Sequence, residues 1–198
     1  MSKITKRNLR LEGETVILEE VQPKYFPYVI EWRNNPENNR FLNQPFKLTM
    51  ELQTKWYEEK YLNDMSQGLL IMIDKSTNIP FGTIGWTDYD HKKHICIEGR
   101  ALVGNYDYRA SKQMTEGYLV FQDYMYDCMS VEKAFIHVVD ENKKVISLNK
   151  RWGYVKNTDE IQFPNELLVN GMKQTEYIRT NEQYQKARKK IIKILEMM

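Results

Sequence analysis

The sequence has few cysteines, almost no excess charge of either sign and no long apolar run. Its two cysteines, Cys96 and Cys128, lie far apart, and we interpret them as reduced thiols rather than a disulfide framework. Lys and Arg total 29 against 27 for Asp and Glu, a balance that argues against a nucleic-acid or membrane surface. The charged residues 1–7 have no apolar stretch behind them, and no window is long enough to span a bilayer. These absences predict a soluble, cytoplasmic protein.

Aromatic residues are what the sequence has in excess. It contains 13 Tyr, 7 Phe and 4 Trp, or 12% of the chain. Most of them would build a core, with tyrosines on the surface. The alternative is a cleft lined by flat amphipathic rings, suited to a sugar or a nucleoside, and composition leaves both open. The length of 198 residues fits one domain over 1–198, with a core at about 9–180 and a C-terminal helix at about 180–198.

The spacing of apolar residues changes along the chain and predicts alternating helices and strands. Asn170-Gly171 is a strong signal for a tight hairpin, and Thr180 with Gln183 is typical of a helix capping box. The whole order predicts an α+β fold with a mixed, mostly antiparallel sheet flanked by helices. The predicted strands are 9–11, 15–19, 69–73, 81–86, 95–103 and 134–139, and the predicted helices are 24–33, one from about 49, 113–128, 142–152 and one from 180.

Four short strings carry a resemblance to a known family. Residues 31–37 read Glu-Trp-Arg-Asn-Asn-Pro-Glu, residues 80–85 read Pro-Phe-Gly-Thr-Ile-Gly, residues 98–104 form a further strand, and 140–142 are followed by 153–154. In this order and spacing they resemble the GNAT superfamily, in the branch of ribosomal-protein N-terminal acetyltransferases and amino-sugar N-acetyltransferases. The resemblance covers about residues 9–180. It implies the GNAT fold, acetyl-CoA as co-substrate, no metal, and a primary amine as acceptor.

The resemblance also implies a site for the coenzyme A pyrophosphate at a helix start, where free backbone N–H groups and the helix dipole attract anions. Lys112 and Met114 stand where the family usually has glycine or alanine. Ser111 could donate a hydrogen bond and Lys112 could neutralise a phosphate, or the groove could be altered or lost. The predicted pyrophosphate-binding residues are Arg109, Ala110, Ser111, Lys112, Gln113 and Met114.

By the same resemblance, a backbone N–H polarises the thioester carbonyl where the family's fourth and fifth strands splay apart. In this sequence the place is at about 100–102, in the predicted strand 95–103. Leu102 and Val103 are expected to contact the cofactor. Asn142 is expected to bond the pantetheine amides, to cap its helix, or both. The family count for a tyrosine acid falls on Asn149, which cannot donate a proton to the leaving thiolate.

The resemblance also implies that Glu98 is the general base, since the branch commonly has a glutamate at this place on its fourth strand. A carboxylate on an otherwise apolar strand is costly unless it faces a cleft or is paired. The alternative is a structural salt bridge to Arg100 or Arg109. Asp88, Asp90, His91 and His94 lie together in a turn, which we interpret as a solvated hairpin rather than a metal site.

The predicted acceptor side is the short stretch containing Trp32, Arg33, Asn34 and Arg40. Arg33 and Arg40 would hold the diphosphate of a nucleotide-linked amino sugar, or they are surface arginines beside a core tryptophan. A protein N-terminus, a polyamine or an aminoglycoside stays open as the acceptor, although a polyamine would require an acidic cleft. A catalytically degenerate acyl-CoA-binding module and a homodimer, with the basic tail packed on a neighbour, also stay open.

Overall fold

The computed structural model describes residues 7–164 and 168–198. The strands are β1 Arg10–Glu12, β2 Val16–Glu20, β3 Gly68–Asp74, β4 Pro80–Asp90, β5 Ile95–Val103, β6 Lys133–Val139, β7 Val155–Lys156, β8 Leu168–Val169 and β9 Met172–Thr180. The helices are α1 Phe26–Asn34, α2 Pro36–Asn39, α3 Met50–Trp56, α4 Lys112–Asp123, α5 Lys143–Arg151 and α6 Asn181–Leu195. The π-helical turns Tyr57–Tyr61 and Tyr124–Cys128 extend α3 and α4, and Pro23–Tyr25 and Tyr106–Tyr108 are single 3-10 turns.

In the described part of the chain the strands form one nine-stranded sheet. Its order is β1-β2-β3-β4-β5-β6-β9-β7, and β8 pairs with β9. Strands β1 to β5 form an antiparallel meander, and β5 and β6 are parallel. The helices flank this sheet, and α6 follows it at the C-terminal end. The prediction of an α+β fold with a mixed, mostly antiparallel sheet and an added C-terminal helix is therefore confirmed.

The apolar run in β3 is buried on both faces of the sheet. Leu70 and Met72 pack into the core beneath α4, whereas Leu69, Ile71 and Ile73 pack into a second core beneath α1 and α3. Successive side chains of a strand point to opposite faces, so this run lacks the polar alternation of a solvated strand. The sheet thus separates two layers of helices, and a residue on a central strand faces one layer or the other.

The local signals near the C-terminus are confirmed. Asn170 and Gly171 have φ values of 50° and 75°, as a two-residue type I′ hairpin requires. The Thr180 side chain accepts from the Gln183 backbone, and the Gln183 side chain accepts from the Thr180 backbone, which completes the capping box. Helix α6 buries Ile191 against the core. The short strand β7, which no period-2 pattern indicates, is held by pairing with β9.

Candidate active site

Strands β5 and β6 separate after a short stretch of pairing. Their parallel ladder joins Ile95 to Lys133 and Ile97 to Phe135, and the register goes no further. Helix α4 follows β5 and helix α5 follows β6, so both helices begin near the carboxyl ends of the two diverging strands. A gap between diverging parallel strands, with helix N-termini at its edge, is a common place for an anionic ligand.

The start of α4 is built as the sequence predicts, with a cap that uses one of its amides. The Ser111 side chain accepts from the backbone N–H of Met114 at 3.1 Å. Because the first N–H groups of a helix have no intrahelical acceptor, those of Lys112 and Gln113 are the ones left for a phosphate. Ala110 adopts a left-handed φ of 58°, and the Arg109 guanidinium lies 3.4 Å from the centre of the Tyr106 ring. Binding of the pyrophosphate here stays a prediction.

Two side chains at this helix start already have protein partners. The Lys112 ammonium lies 3.6 Å from the carboxylate of Glu14, which is 79% exposed and binds it only weakly. The Gln113 side chain donates to Asp74 at 3.3 Å. Lys112 can therefore exchange its partner for a phosphate at little cost.

Strand β5 contains a bulge at the position predicted to expose a backbone N–H. Thr83 of β4 lies opposite Leu102 and Gly85 lies opposite Gly99, so one residue of β4 opposes two of β5. Arg100, at the bulge, has a φ of 55°, and its carbonyl accepts from the Thr83 hydroxyl at 2.6 Å. A bulge leaves one residue outside the ladder, which frees backbone polar groups for a ligand.

The bulge forms part of the wall of a cleft of about 660 Å³ on the α1 and α3 side of the sheet. Its walls are the segment before α3, the exposed side of α3, and the ends of three central strands. The lining residues are Val29, Arg33, Leu42, Asn43, Gln44, Phe46, Leu48, Leu52, Gln53, Lys55, Trp56, Glu59, Lys60, Leu69, Thr83, Arg100, Ala101 and Leu102. Most of the exposed wall of the cleft is apolar, and polar side chains supply the rest, as in small-molecule sites generally.

The charged residues of the cleft are mainly basic. Arg33 donates from Nε to Gln44 at 2.7 Å, and Arg100 donates from Nη2 to Gln67 at 2.5 Å. Burial lowers the pKa of both guanidinium groups, that of Arg100 to about 10, and both stay charged at neutral pH. Within residues 7–164 and 168–198, no carboxylate lies within 4.0 Å of either guanidinium. Neither guanidinium therefore has a directly paired carboxylate.

Of the four predicted acceptor residues, only Arg33 lines the cleft. Trp32 is 5% exposed and packs against Gly104, where an added Cβ would lie 2.0 Å from the indole ring. The Asn34 side chain holds the backbone of Leu48 through both its oxygen and its nitrogen, at 2.8 Å each. These two residues shape the cleft from outside its lining.

Arg40, the fourth, is exposed, and its guanidinium lies 5.0 Å from the centre of the Phe41 ring. The structure therefore does not bring Arg33 and Arg40 together in the cleft as a pair. The second basic residue of the cleft is Arg100, which comes from a strand far along the chain.

Glu98 is buried on the opposite face of the sheet, beneath α4. Its carboxylate pairs with Arg179 at 2.9 Å and accepts from Gln122 at 2.7 Å and from the hydroxyl of Tyr154. Burial raises the pKa of Tyr154 well above its ordinary value, so this hydroxyl stays protonated. The salt bridge considered as the alternative role of Glu98 was predicted with Arg100 or Arg109, and this choice of partner is wrong. Arg100 does not reach Glu98 because the bulge turns its side chain to the other face of the sheet.

The base role of Glu98 stays a prediction, and its surroundings favour the structural alternative. The side chain is 1% exposed, and its carboxylate is bonded to Arg179, Gln122 and Tyr154. Proton exchange with an amine in the cleft would have to pass through the sheet at the bulge.

Helix α5 begins after Asn142 and carries no residue of suitable chemistry at the position expected for an acid. Asn142 caps the helix by accepting from Val145 at 3.3 Å. Asn149 is buried and donates to the Val145 carbonyl at 3.0 Å. The capping role of Asn142 is thus observed, and its contact with pantetheine stays a prediction.

Arg100 and Gln53 are among the polar residues of the cleft that are absent from the sequence-based prediction of the acceptor side. Arg100 could have been found there, because an arginine in the apolar run of β5 needs a reason to be partly buried. Gln53 gives no such signal, since glutamine is ordinary in the first turns of an amphipathic helix. Among residues 7–164 and 168–198, no three His, Cys, Asp or Glu side chains are grouped to hold a metal ion. No helix in that part of the chain combines the length and the apolar character of a membrane span.

Comparison with known proteins gives a family and a fold. The family model for an acetyltransferase (GNAT) domain matches residues 15–155. No curated protein sequence matches the chain significantly.

Similar solved structures include three acetyltransferases. Spermidine N-acetyltransferase from Vibrio cholerae, in complex with CoA and spermine, is 13% identical, with 87% of this chain and 99% of that chain covered and a TM-score of 0.73. FdhC, a nucleotide-linked sugar GNAT in its apo form, is 18% identical, with 96% and 99% covered and a TM-score of 0.73. A GCN5-related N-acetyltransferase from Brucella melitensis is 15% identical, with 96% and 86% covered and a TM-score of 0.75. At these low identities the structural similarity shows the fold alone.

Proposed function

The chain belongs to the GNAT family of acetyltransferases, and we propose that it transfers the acetyl group of acetyl-CoA to a primary amine of a nucleotide-linked amino sugar. The observation that carries this proposal is the cleft at the β5 bulge, where Arg33 and Arg100 lack a carboxylate partner. An acceptor with a diphosphate supplies the missing negative charge.

The charge of the cleft also separates the acceptor classes named by similar structures. Spermidine carries several positive charges at neutral pH and would be repelled by Arg33, Lys55, Lys60 and Arg100, against which the cleft lining sets Glu59 alone. A nucleotide-linked sugar, the class named for FdhC, has the opposite charge. Because that protein is only 18% identical, the argument depends on the residues of this cleft and not on the likeness.

The acceptor can extend beyond the cleft into a neighbouring hollow. The hollow is lined by Asn34, Asn39, Gln44, Pro45, Phe46, Lys47 and Asn170, and it shares Gln44 and Phe46 with the cleft. Phe46 is 54% exposed, so its ring offers a surface on which a nucleobase can stack. This arrangement suits an acceptor with a sugar at the inner end and a base at the outer end.

In the proposed reaction, acetyl-CoA bound at the start of α4 and the amine bound in the cleft meet at the bulge of β5. The neutral amine attacks the thioester carbonyl carbon, a C–N bond forms, and the negative charge that develops on the carbonyl oxygen is stabilised by backbone N–H donation near Arg100 to Leu102. The C–S bond then breaks, the thiolate takes a proton, and the amide loses the proton of the amine. The thiolate of coenzyme A is stable enough to leave with help from water, so the lack of a tyrosine at Asn149 does not prevent turnover.

The test compares acceptors at fixed acetyl-CoA. A 4-amino sugar linked to a nucleotide, the free amino sugar, spermidine and short peptides with free N-termini are supplied in turn. Thiol release is followed, and the acetamide is identified by mass. We expect kcat/KM for the nucleotide-linked sugar to exceed that for the free sugar by at least about 10-fold, the value of one charged hydrogen bond. Acetylation of peptides or spermidine in preference to the nucleotide-linked sugar contradicts the proposed acceptor.

A second candidate is an acyl-CoA-binding module that has lost turnover. It is favoured by Lys112 and Met114 in place of small residues, by the cap that uses the Met114 amide, and by Asn149 at the position of the acid. Calorimetry with acetyl-CoA, followed by thiol release with the acceptor panel, separates the two. Binding without release of thiol from any acceptor supports the module, and acetamide formation excludes it.

A further inference from the structure

Two buried donors in the cleft have no acceptor. Among the described residues, the buried side-chain nitrogens without a hydrogen-bond partner are Gln53 Nε2, Trp86 Nε1, His94 Nδ1 and Arg100 Nη1. Gln53, which is 4% exposed, and Arg100 line the same cleft. An unpaired donor in a protein interior is unfavourable and rare, so two in one cleft indicate an acceptor that a ligand supplies.

The backbone at Arg100 makes this choice of residue costly. Its φ of 55° lies in the left-handed region, which glycine and asparagine adopt more easily than a residue with a long side chain. The bulge alone would be satisfied by either of those residues. Such strain concentrates at functional sites, where the side chain is needed in a fixed place. A long basic side chain at this position therefore indicates a role for its guanidinium group.

Arg7, another buried arginine, shows how the protein can pair a buried guanidinium with a carboxylate and with backbone carbonyls. Arg7 is 7% exposed, pairs with Glu20 at 3.1 Å, and donates to the carbonyls of Tyr61, Asp64 and Gln67. The Arg100 guanidinium has one hydrogen bond, to Gln67, and lies 5.5 Å from the centre of the Trp56 ring. The positive charge of Arg100 thus lacks the carboxylate that Arg7 has.

We infer that Arg100 and Gln53 form an oxyanion site in the cleft, which binds a phosphate or carboxylate group of the acceptor and so determines its specificity. The inference rests on the proposed function in that the acceptor occupies this cleft. Both donor atoms are closed to water. The acceptor reaches them when neighbouring side chains of the cleft move aside.

The decisive variant is Arg100→Asn, which suits the left-handed backbone and removes the guanidinium. With the nucleotide-linked amino sugar as acceptor, we expect KM to rise about 10- to 100-fold, as for the loss of a charged hydrogen bond. We expect kcat and the affinity for acetyl-CoA to stay within about 3-fold, because the site binds the acceptor and not the reacting atoms. Arg100→Lys keeps the charge without the planar fork and should recover part of the loss. Arg10→Gln, at an exposed arginine of β1, is the matched control and should change neither parameter.

A second variant and a direct binding measurement keep the inference testable if Arg100→Asn folds poorly. Gln53→Met keeps the size of the side chain and should raise the same KM about 3- to 10-fold, as expected for a neutral hydrogen bond. Calorimetry with pyrophosphate and with succinate, at saturating coenzyme A so that the start of α4 is filled, reports binding in the cleft. Weaker pyrophosphate binding in Gln53→Met, and in Arg100→Asn where that variant folds, identifies a phosphate site, and weaker succinate binding alone identifies a carboxylate site.

The outcomes separate this inference from the proposed function. If the nucleotide-linked sugar is acetylated and its KM is unchanged in Arg100→Asn and Gln53→Met, the oxyanion site is wrong and the proposed function stands. If no nucleotide-linked sugar is acetylated but anion binding is lost in Arg100→Asn, the site stands and the proposed acceptor is wrong.

Discussion

Arg179 and Arg100 lie on opposite faces of the same sheet and differ in how many of their guanidinium donors are paired within the protein. Arg179 is fully buried beneath α4, where it pairs with Glu98 at 2.9 Å and bonds the Trp152 carbonyl and the Tyr126 hydroxyl at 3.0 and 3.1 Å. Arg100 is partly buried beneath α3, and its guanidinium has one hydrogen bond and one unpaired nitrogen. A charge whose donors are all used by the protein stabilises one fold, whereas a charge with a free donor is available to a ligand.

The largest effect should come from breaking the pair beneath α4. Arg179→Met leaves the Glu98 carboxylate buried without its counter-ion, and we expect the free energy of unfolding to fall by about 3–5 kcal/mol. Urea denaturation followed by circular dichroism measures the change. The double variant Arg179→Met/Glu98→Leu should regain much of the loss, because no buried charge remains. A loss below about 1 kcal/mol for the single variant would mean that the pair contributes no more than a surface ion pair.

Glu98→Gln is expected to have a smaller effect on stability and decides the role of this residue. The amide keeps the size of the side chain but leaves Arg179 without a negative charge, so we expect a loss of about 1.5–3 kcal/mol. Turnover per folded molecule is measured at a temperature where the variant is native. Nearly unchanged kcat would establish a structural ion pair, and a fall of about 10²-fold with unchanged acetyl-CoA affinity would establish the predicted base.

Lys112 offers a third charge for the comparison, this time on the surface. Lys112→Glu places a negative charge at the start of α4, and we expect the dissociation constant of acetyl-CoA to rise about 5-fold, or about 1 kcal/mol. Calorimetry measures the binding. Lys186→Glu, on the exposed face of α6, is the matched control and should leave the constant unchanged. An equal constant for Lys112→Glu would show that the Lys112 side chain points to solvent and does not contact the pyrophosphate.

The smallest effect on stability should come from Arg100→Asn. The variant loses the hydrogen bond to Gln67 and the contact with Trp56. It also removes an unpaired buried donor and places asparagine, which adopts the left-handed backbone conformation more easily, at a φ of 55°. We expect the free energy of unfolding to change by less than about 1 kcal/mol in either direction. Urea denaturation beside Arg179→Met gives the contrast directly. A loss as large as that of Arg179→Met would mean that Arg100, too, serves the fold.

Much of the fold could be predicted because its signals are local. The turn at Asn170-Gly171, the capping box at Thr180 and the apolar run of β3 depend on residues that are neighbours in the sequence. The short strand β7 could not be predicted in this way, since its two residues form a strand only because β9 lies beside them. The candidate site also has one part that could be predicted and one that could not. The start of α4 is a local feature, whereas the cleft is formed by segments that are far apart in the chain.

The sequence by itself determined the family, the order of helices and strands, and the helix start that is the candidate pyrophosphate site, since each of these depends on local spacing and chemistry. Only the tertiary structure decided which charges meet. Regular alternation along β5 would place Glu98 and Arg100 on one face of the sheet, where they could pair. The bulge at Arg100 adds a residue to the strand and reverses that alternation, so Glu98 meets Arg179 beneath α4 and Arg100 enters the cleft without a partner carboxylate.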